Sequence, residues 1–142
     1  ILKHVVDKGK SQVKGRSRVG ENLYMRGVFN SVLIAEAIRT AQGKFGNRVI
    51  NGEEMRWGME NLHLTSARMA EIGLPGFTNP IKVSCDDHAN NGPVYIQQWN
   101  GTSWERVSGW INSMDRVRPM LEKAAAGYKA KNSVPDRTIP CS

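Results

Sequence analysis

The spacing of apolar residues predicts one long helix in the first third of the chain. From Met25 to Ala41 apolar side chains recur at steps of three and four residues, and the pattern stops near Gly43. This spacing is typical of a helix with one apolar face. Residues 1–8 also place their apolar side chains on one helical face before Gly9, so we interpret them as the end of a helix.

Three further helices are predicted from capping and stop signals. Asn51 is followed three residues later by Glu54, which is the sequence form of a helix N-terminus. Residues 66–72 are predicted to form a short helix that ends at Gly73. The last helix is predicted over residues 119–128, with the proline at its start in the first turn.

Strand patterns occur only in the second half of the chain. Residues 81–84 alternate between apolar and polar side chains, and residues 94–99 and 104–111 flank Asn100-Gly101, a pair typical of hairpin turns. We therefore predict an α/β protein with a β-hairpin near residues 94–111. Three strands are too few for a complete doubly wound sheet, so the missing strands are expected upstream, and the natural start of the protein is expected to be absent.

The charge distribution raises one alternative function. The chain has 142 residues and a formal net charge of +7. The first 18 residues carry much of this charge, since they hold Lys3, Lys8, Lys10, Lys14, Arg16 and Arg18 against Asp7 alone. Such a segment is able to bind a nucleic acid or an anionic surface, although no aromatic residues interleave with it to stack on bases. A solvated loop is the other interpretation of this segment.

The cysteines indicate a disulfide rather than a metal site. Cys85 and Cys141 lie far apart, and a bond between them would hold the C-terminal tail and require an oxidising compartment. The run Cys85-Asp86-Asp87-His88 contains metal-ligand types, but it lacks the paired spacing of zinc sites. No run approaches the length of about 20 apolar residues that a membrane-spanning helix needs.

No pattern in the sequence indicates catalysis. The chain contains no phosphate loop, dinucleotide fingerprint or nucleophile elbow. The paired carboxylates at 53–54 and 86–87 are adjacent in sequence and are not arranged to share a proton. Trp99, Trp104 and Trp110 lie on the predicted hairpin, where we expect them to pack in the core or across the strands. We therefore expect a protein that is not an enzyme and that needs no cofactor.

Four blocks of sequence together resemble a known family. They are LYMRGVFNSVLIAEAIRTAQGKFG, NGEEMRWGMENL, GFTNPIKVSCDDH and GPVYIQQWNGTSWERVSGWI, in this order. In these blocks the chain is similar to the C-terminal part of the periplasmic substrate-binding proteins of ABC importers, of the branched-chain amino acid type. The resemblance extends over nearly the whole chain.

The resemblance implies a bilobed fold and a role in import. Residues 1–18 would end the second lobe, and residues 19–142 would form the C-terminal part of the first lobe with its hinge crossings. The lobes would close around an amino acid or a related small carboxylate, including an aromatic one. The expected partners are the solute, the membrane permease and the missing N-terminal portion of the same protein, and the expected location is the periplasm.

The same resemblance points to ligand contacts at the start of the long helix. Tyr24 matches an aromatic position that faces the cleft in the family, and Arg26, Glu21 and Asn22 are close enough in sequence to contact the same solute. The solute itself is not identified by these residues. A sensory or regulatory ligand-binding module on the same fold is an alternative function.

Overall fold

The structure is a computed structural model of the chain and describes residues 1–12, 15–88, 92–136 and 141. Lys14 of the basic N-terminal segment therefore lies outside the described residues. Helices and short strands are mixed along the chain. The chain divides into two compact units, Ile1–Met59 and Glu60–Ser142. The lobes expected from the sequence, with their boundary after residue 18, concern a larger protein and stay a prediction.

The first unit is built around one long helix. A π-helical turn, Leu2–Val6, and a 3-10 turn, Arg16–Arg18, precede helix α1, Asn22–Phe45. Helix α1 extends two residues beyond Gly43, where the sequence pattern stopped, and Gly46 is its C-cap. Gly46 has a φ of +98°, a conformation that glycine adopts without the steric cost of a Cβ atom, so the helix stops there.

Helix α2, Gly52–Glu60, approaches the C-terminal half of α1 closely at Gly58. A Cβ atom at Gly58 would lie 2.3 Å from the carbonyl oxygen of Ala37 and 2.9 Å from the Cβ of Ala41. Ala37 and Ala41 are completely buried. Small residues on both helices thus allow the two backbones to meet, which is why this half of α1 is covered.

The N-terminus of α2 forms the reciprocal capping arrangement that the sequence predicted. The Oδ1 atom of Asn51 accepts a hydrogen bond from the Glu54 N–H, and the Glu54 carboxylate accepts one from the Asn51 N–H, both at 2.9 Å. Arg48 adds two contacts to the same carboxylate, at 2.5 and 3.0 Å. The Arg48 hydrogen bond, supported by the Asn51 N–H, holds the pKa of Glu54 below its ordinary value of 4.5.

The N-terminal half of α1 is less well covered. The residues of the predicted apolar face in this half are only half-buried, and these are Met25, Val28, Phe29, Val32 and Leu33. The buried residues of α1 are Glu36, Ala37 and Ala41, all in its C-terminal half. The apolar face that the sequence predicted is therefore packed at one end of the helix and partly exposed at the other.

The second unit contains a small antiparallel sheet. Strand β1, His63–Leu64, pairs with β2, Ile81–Lys82, with Leu64 opposite Ile81. Helix α3, Ser66–Glu71, lies between them in sequence, and its N-cap Thr65 accepts a hydrogen bond from the Arg68 N–H at 3.1 Å. The buried apolar residues of this unit are Leu62, Leu64, Met69 and Ile81.

The predicted hairpin is present, with shorter strands than the pattern indicated. Strand β3, Gln97–Trp99, pairs antiparallel with β4, Trp104–Arg106, and a bridge between Val94 and Ile111 continues the pairing. Between these pairs the N–H of Ile96 donates to the Oγ of Ser108 at 2.8 Å. A side chain thus takes the place of a backbone partner, which interrupts the ladder.

The last helix, α4, spans Met114–Asn132 and contains no buried residue. It begins five residues before Pro119, so this proline lies inside the helix and not in its first turn as expected. Arg118 of α4 donates to Asp87 at 2.9 Å. Because the described strands form only two antiparallel pairs, the expected α/β class and bilobed fold stay predictions.

Candidate functional site

The structure places the predicted ligand residues at the start of α1. Glu21 is the N-cap residue, and its carboxylate accepts a hydrogen bond from the Arg18 Nε at 3.1 Å instead of capping the helix. Tyr24 is half-buried, whereas Asn22 and Arg26 are exposed.

Helical geometry separates these side chains. Asn22 and Arg26 are four residues apart and share one face of α1, whereas Tyr24, two residues from each, points to another side. The structure therefore does not bring Tyr24 together with Arg26. Ligand binding by these residues and by Glu21 stays a prediction.

The two cysteines form a disulfide. Cys85 and Cys141 are bonded, with their Cα atoms 5.5 Å apart. Because thiolate is the form of cysteine that binds metals, a bonded Cys85 cannot serve the alternative metal site at residues 85–88. His88 of that run has its Nε2 atom 3.3 Å from the Oε1 of Glu60. No group of three potential metal ligands occurs within residues 1–12, 15–88, 92–136 and 141.

A cleft in the second unit is a candidate site. Its volume is about 490 Å³, within the range of small-ligand pockets. The loop after α3 forms one wall and the hairpin forms the other. The lining residues are Ser66, Gly76, Phe77, Thr78, Asn79, Pro80, Tyr95, Gln97, Arg106 and Trp110.

Arg106 is the one charged side chain among these lining residues, and two aromatic rings hold it in place. Its guanidinium carbon lies 4.8 Å from the ring centroid of Tyr95 and 4.7 Å from that of Trp110. The two rings contact each other edge to face at 4.9 Å. The Arg106 Nε donates to the carbonyl oxygen of Ser108 at 2.8 Å. A guanidinium oriented in this way is suited to bind a carboxylate or a planar group.

Sequence reasoning did not identify Arg106 as a site residue. The signal was available, because alternate residues of paired strands lie on the same face of a hairpin. The pairing of Gln97 with Arg106 and of Trp99 with Trp104 places all four side chains on one face.

The tryptophans of the hairpin pack across the strands but not in a core. The rings of Trp99 and Trp104 are 5.6 Å apart, and their exposed fractions are 50% and 63%. Trp110 is 50% exposed as well. The expectation of cross-strand packing is therefore confirmed for one pair, whereas burial of these rings in a core is wrong.

Comparison with known proteins finds one strong similarity. No protein-family model and no curated protein sequence matches the chain. A solved crystal structure, described as an ABC transporter permease from the Pseudomonas fluorescens group, is 38% identical with a TM-score of 0.81. The similarity covers 98% of this chain and 34% of that chain, so the present chain spans about a third of the matched protein. This chain is thus related to an ABC transporter component.

The match corrects the family expected from sequence. The matched protein is described as a permease and not as a periplasmic substrate-binding protein. The identification with the substrate-binding family is therefore wrong, as is the function of an importer's solute-binding component that closes around an amino acid. The description names neither a sensory module nor a nucleic-acid binder. The relation to ABC transporters holds. Within the described residues, no helix has the length and apolarity needed to cross a bilayer.

Proposed function

We propose that this chain is part of an ABC transporter component, that it acts through contacts with other molecules rather than by catalysis, and that it functions outside the cytoplasm. The observation that carries the proposal is the similarity to the solved transporter structure, at 38% identity over 98% of the chain. The matched region is about a third of that protein. The role of the whole protein is therefore proposed here together with that of this chain.

The disulfide supports the location. Cys85 and Cys141 are separated by 56 residues in sequence and are bonded to each other. Structural disulfides persist in oxidising compartments and are rare where thiols are kept reduced. A segment whose tail is held by this bond is therefore expected to face the periplasm or another extracytoplasmic space.

The side chains of the cleft support a role in binding. They provide aromatic rings, one guanidinium, and neutral amides and hydroxyls. These groups recognise other molecules by stacking and hydrogen bonding. The contacts of Arg106 with Tyr95 and Trp110 keep it in a defined orientation before any partner arrives, and such preorganisation lowers the entropic cost of binding.

Co-purification tests the transporter assignment. The full-length protein that contains this chain is expressed with an affinity tag and purified from membranes in a mild detergent. We expect an ATP-binding subunit and vanadate-sensitive ATP hydrolysis in the eluate. A tagged extracytoplasmic protein unrelated to transporters is the control. The assignment is refuted if the eluate contains no more ATP-binding subunit than the control.

Thiol trapping tests the location separately. Cells are quenched in acid, and free thiols are then labelled with a maleimide of high mass, with and without prior reduction. We expect a gel shift only after reduction, because both cysteines are bonded in the cell. A shift without reduction would contradict an oxidising location and leave the transporter assignment intact.

A further inference from the structure

The hairpin presents a row of aromatic residues that the described chain leaves exposed. We call this row, together with Arg106, the aromatic face. The exposed fractions of its aromatic side chains are 40% for Tyr95, 50% for Trp99, 63% for Trp104 and 50% for Trp110. At about 3.3 Å per residue, the row extends about 13 Å along the hairpin from residue 95 to residue 99. It therefore continues well past the cleft toward the hairpin turn.

The other face of the hairpin is also partly exposed. It carries aliphatic residues whose exposed fractions are between 40% and 55%, namely Val94, Ile96, Val107 and Ile111. A two-stranded ribbon without cover on at least one face is at best marginally stable in water. Tyrosine, tryptophan and arginine are the residues that dominate binding energy in protein interfaces. The length and composition of the aromatic face thus fit a polypeptide better than a small molecule, which would cover only the end with the cleft.

The charge of Arg106 indicates the chemistry of that polypeptide. The Arg106 Nε donates a hydrogen bond to the carbonyl oxygen of Ser108. Within the described part of the chain, no carboxylate contacts the terminal nitrogens of Arg106. The neighbouring acid, Glu105, pairs with Gln98 and lies on the opposite face of the hairpin. A guanidinium between aromatic rings binds most strongly to a carboxylate, through charge-assisted hydrogen bonds.

We propose that the aromatic face is a docking surface for an acidic polypeptide segment from outside these 142 residues. A carboxylate of that segment binds the terminal nitrogens of Arg106. Apolar side chains on either side of the carboxylate cover Tyr95 and Trp110 in the cleft and Trp104 toward the turn. The inference stands on the geometry of the hairpin and does not depend on the partner being a transporter subunit.

Photo-cross-linking in the full-length protein tests the inference. The probe is p-benzoylphenylalanine in place of Trp104, which keeps an aromatic ring on the face. The matched control has the same probe in place of Tyr128, an exposed residue of α4. The cross-linked peptide is identified by mass spectrometry. We expect it to come from outside this chain, to contain Asp or Glu near the cross-link, and to be absent from the control.

Charge reversal then tests the role of Arg106. We expect Arg106→Glu to reduce the yield of the cross-link roughly ten-fold or more, because a charge-assisted bond is replaced by repulsion between like charges. Arg116→Glu changes the net charge equally on exposed α4 and should leave the yield unchanged. Replacing the acidic residue of the identified peptide by arginine should restore cross-linking to Arg106→Glu, which also shows that this variant is folded.

Other outcomes overturn the inference. These are a cross-link to a second copy of this chain, a peptide without an acidic residue, no cross-link at Trp104, or an unchanged yield with Arg106→Glu. A small anion as the ligand is tested by titrating benzoate and following tryptophan fluorescence. Saturable quenching by benzoate that is lost in Arg106→Gln would assign the cleft to a small carboxylate and not to a polypeptide.

Discussion

Gly58 provides the sharpest test of how the first unit is packed. Replacing it by alanine adds a Cβ atom at 2.3 Å from the carbonyl oxygen of Ala37. Ordinary van der Waals contact requires about 3.4 Å, so α2 has to move by about 1 Å from α1 or distort. The contacted atom belongs to the backbone of a buried helix segment, so it cannot rotate away as a flexible side chain would.

The expected magnitude follows from two opposing effects. Overpacking of a well-packed contact costs about 1–3 kcal/mol. Replacing glycine by alanine inside a helix contributes up to about 1 kcal/mol in the opposite direction. We therefore expect Gly58→Ala to lower the free energy of unfolding by about 1–2 kcal/mol. Gly27→Ala is the matched control, since Gly27 lies in α1 with no atom within 4 Å of the added Cβ. It should raise the free energy of unfolding by about 0.5–1 kcal/mol.

Urea denaturation followed by far-ultraviolet circular dichroism measures both variants against the parent protein. The two substitutions add the same atoms to helical glycines, so opposite signs for their effects would isolate the contact with Ala37. If Gly58→Ala proves as stabilising as Gly27→Ala, the close approach of α1 and α2 is wrong.

Three other predictions concern charge, the disulfide and the core. Because the folded pKa of Glu54 is depressed, its stabilising contribution is present above pH 4.5 and is lost as the pH falls below that value. Glu54→Gln should therefore be less stable than the parent at pH 7, and this difference should shrink as the pH falls below 4.5 in urea titrations. A difference independent of pH would contradict this. Replacing Cys85 and Cys141 by serine should lower the free energy of unfolding by about 2–4 kcal/mol. Adding reductant to the parent should lower its stability in thermal denaturation in the same way. If neither treatment changes the stability, the stabilising role of the disulfide is refuted. Leu64→Ala removes a completely buried side chain and should lower the free energy of unfolding by about 2–5 kcal/mol. Leu23→Ala, at a residue that is 76% exposed, should change the unfolding midpoint little. Equal effects of the two substitutions would contradict the assigned core.

Local features of the fold could be predicted from the sequence because neighbouring residues determine them. The capping box of Asn51 and Glu54 needs only a short segment, and the turn at Asn100-Gly101 joins strands that are adjacent in sequence. Strand β1 was not predicted, since its two residues become a strand only by pairing with β2, which lies beyond α3. Pro119 was placed in the first turn because proline is favoured there, whereas α4 begins five residues earlier, at Met114.

The candidate site was less predictable because it depends on tertiary contacts. The tryptophans of the hairpin were expected to pack in the core or across the strands, and in the structure each of them is half or more exposed. The residues Tyr24 and Arg26 came from a resemblance, and the helix that carries them points them to different sides. Arg106 was overlooked because its role depends on the pairing of β3 with β4 and on the rings of Tyr95 and Trp110.

The resemblance found in the sequence agrees with the matched structure in pointing to ABC transporters, but it names a different component from the one in that structure's description. Shared sequence blocks reflect common ancestry and a common local structure, whereas the component to which a segment belongs depends on the rest of the protein. The similarity to the solved structure covers only 34% of that chain, so about two thirds of the matched protein lies outside the match.

Cross-linking in intact cells tests the central proposal most directly. A lysine-reactive cross-linker that does not cross membranes is added to cells that express the tagged full-length protein, and the denatured, tag-purified products are identified by mass spectrometry. The account predicts a cross-link between this segment and another component of an ABC transporter, formed from outside the cytoplasm. If the segment reacts only after the cells are made permeable, or is linked to no transporter component, the account is contradicted.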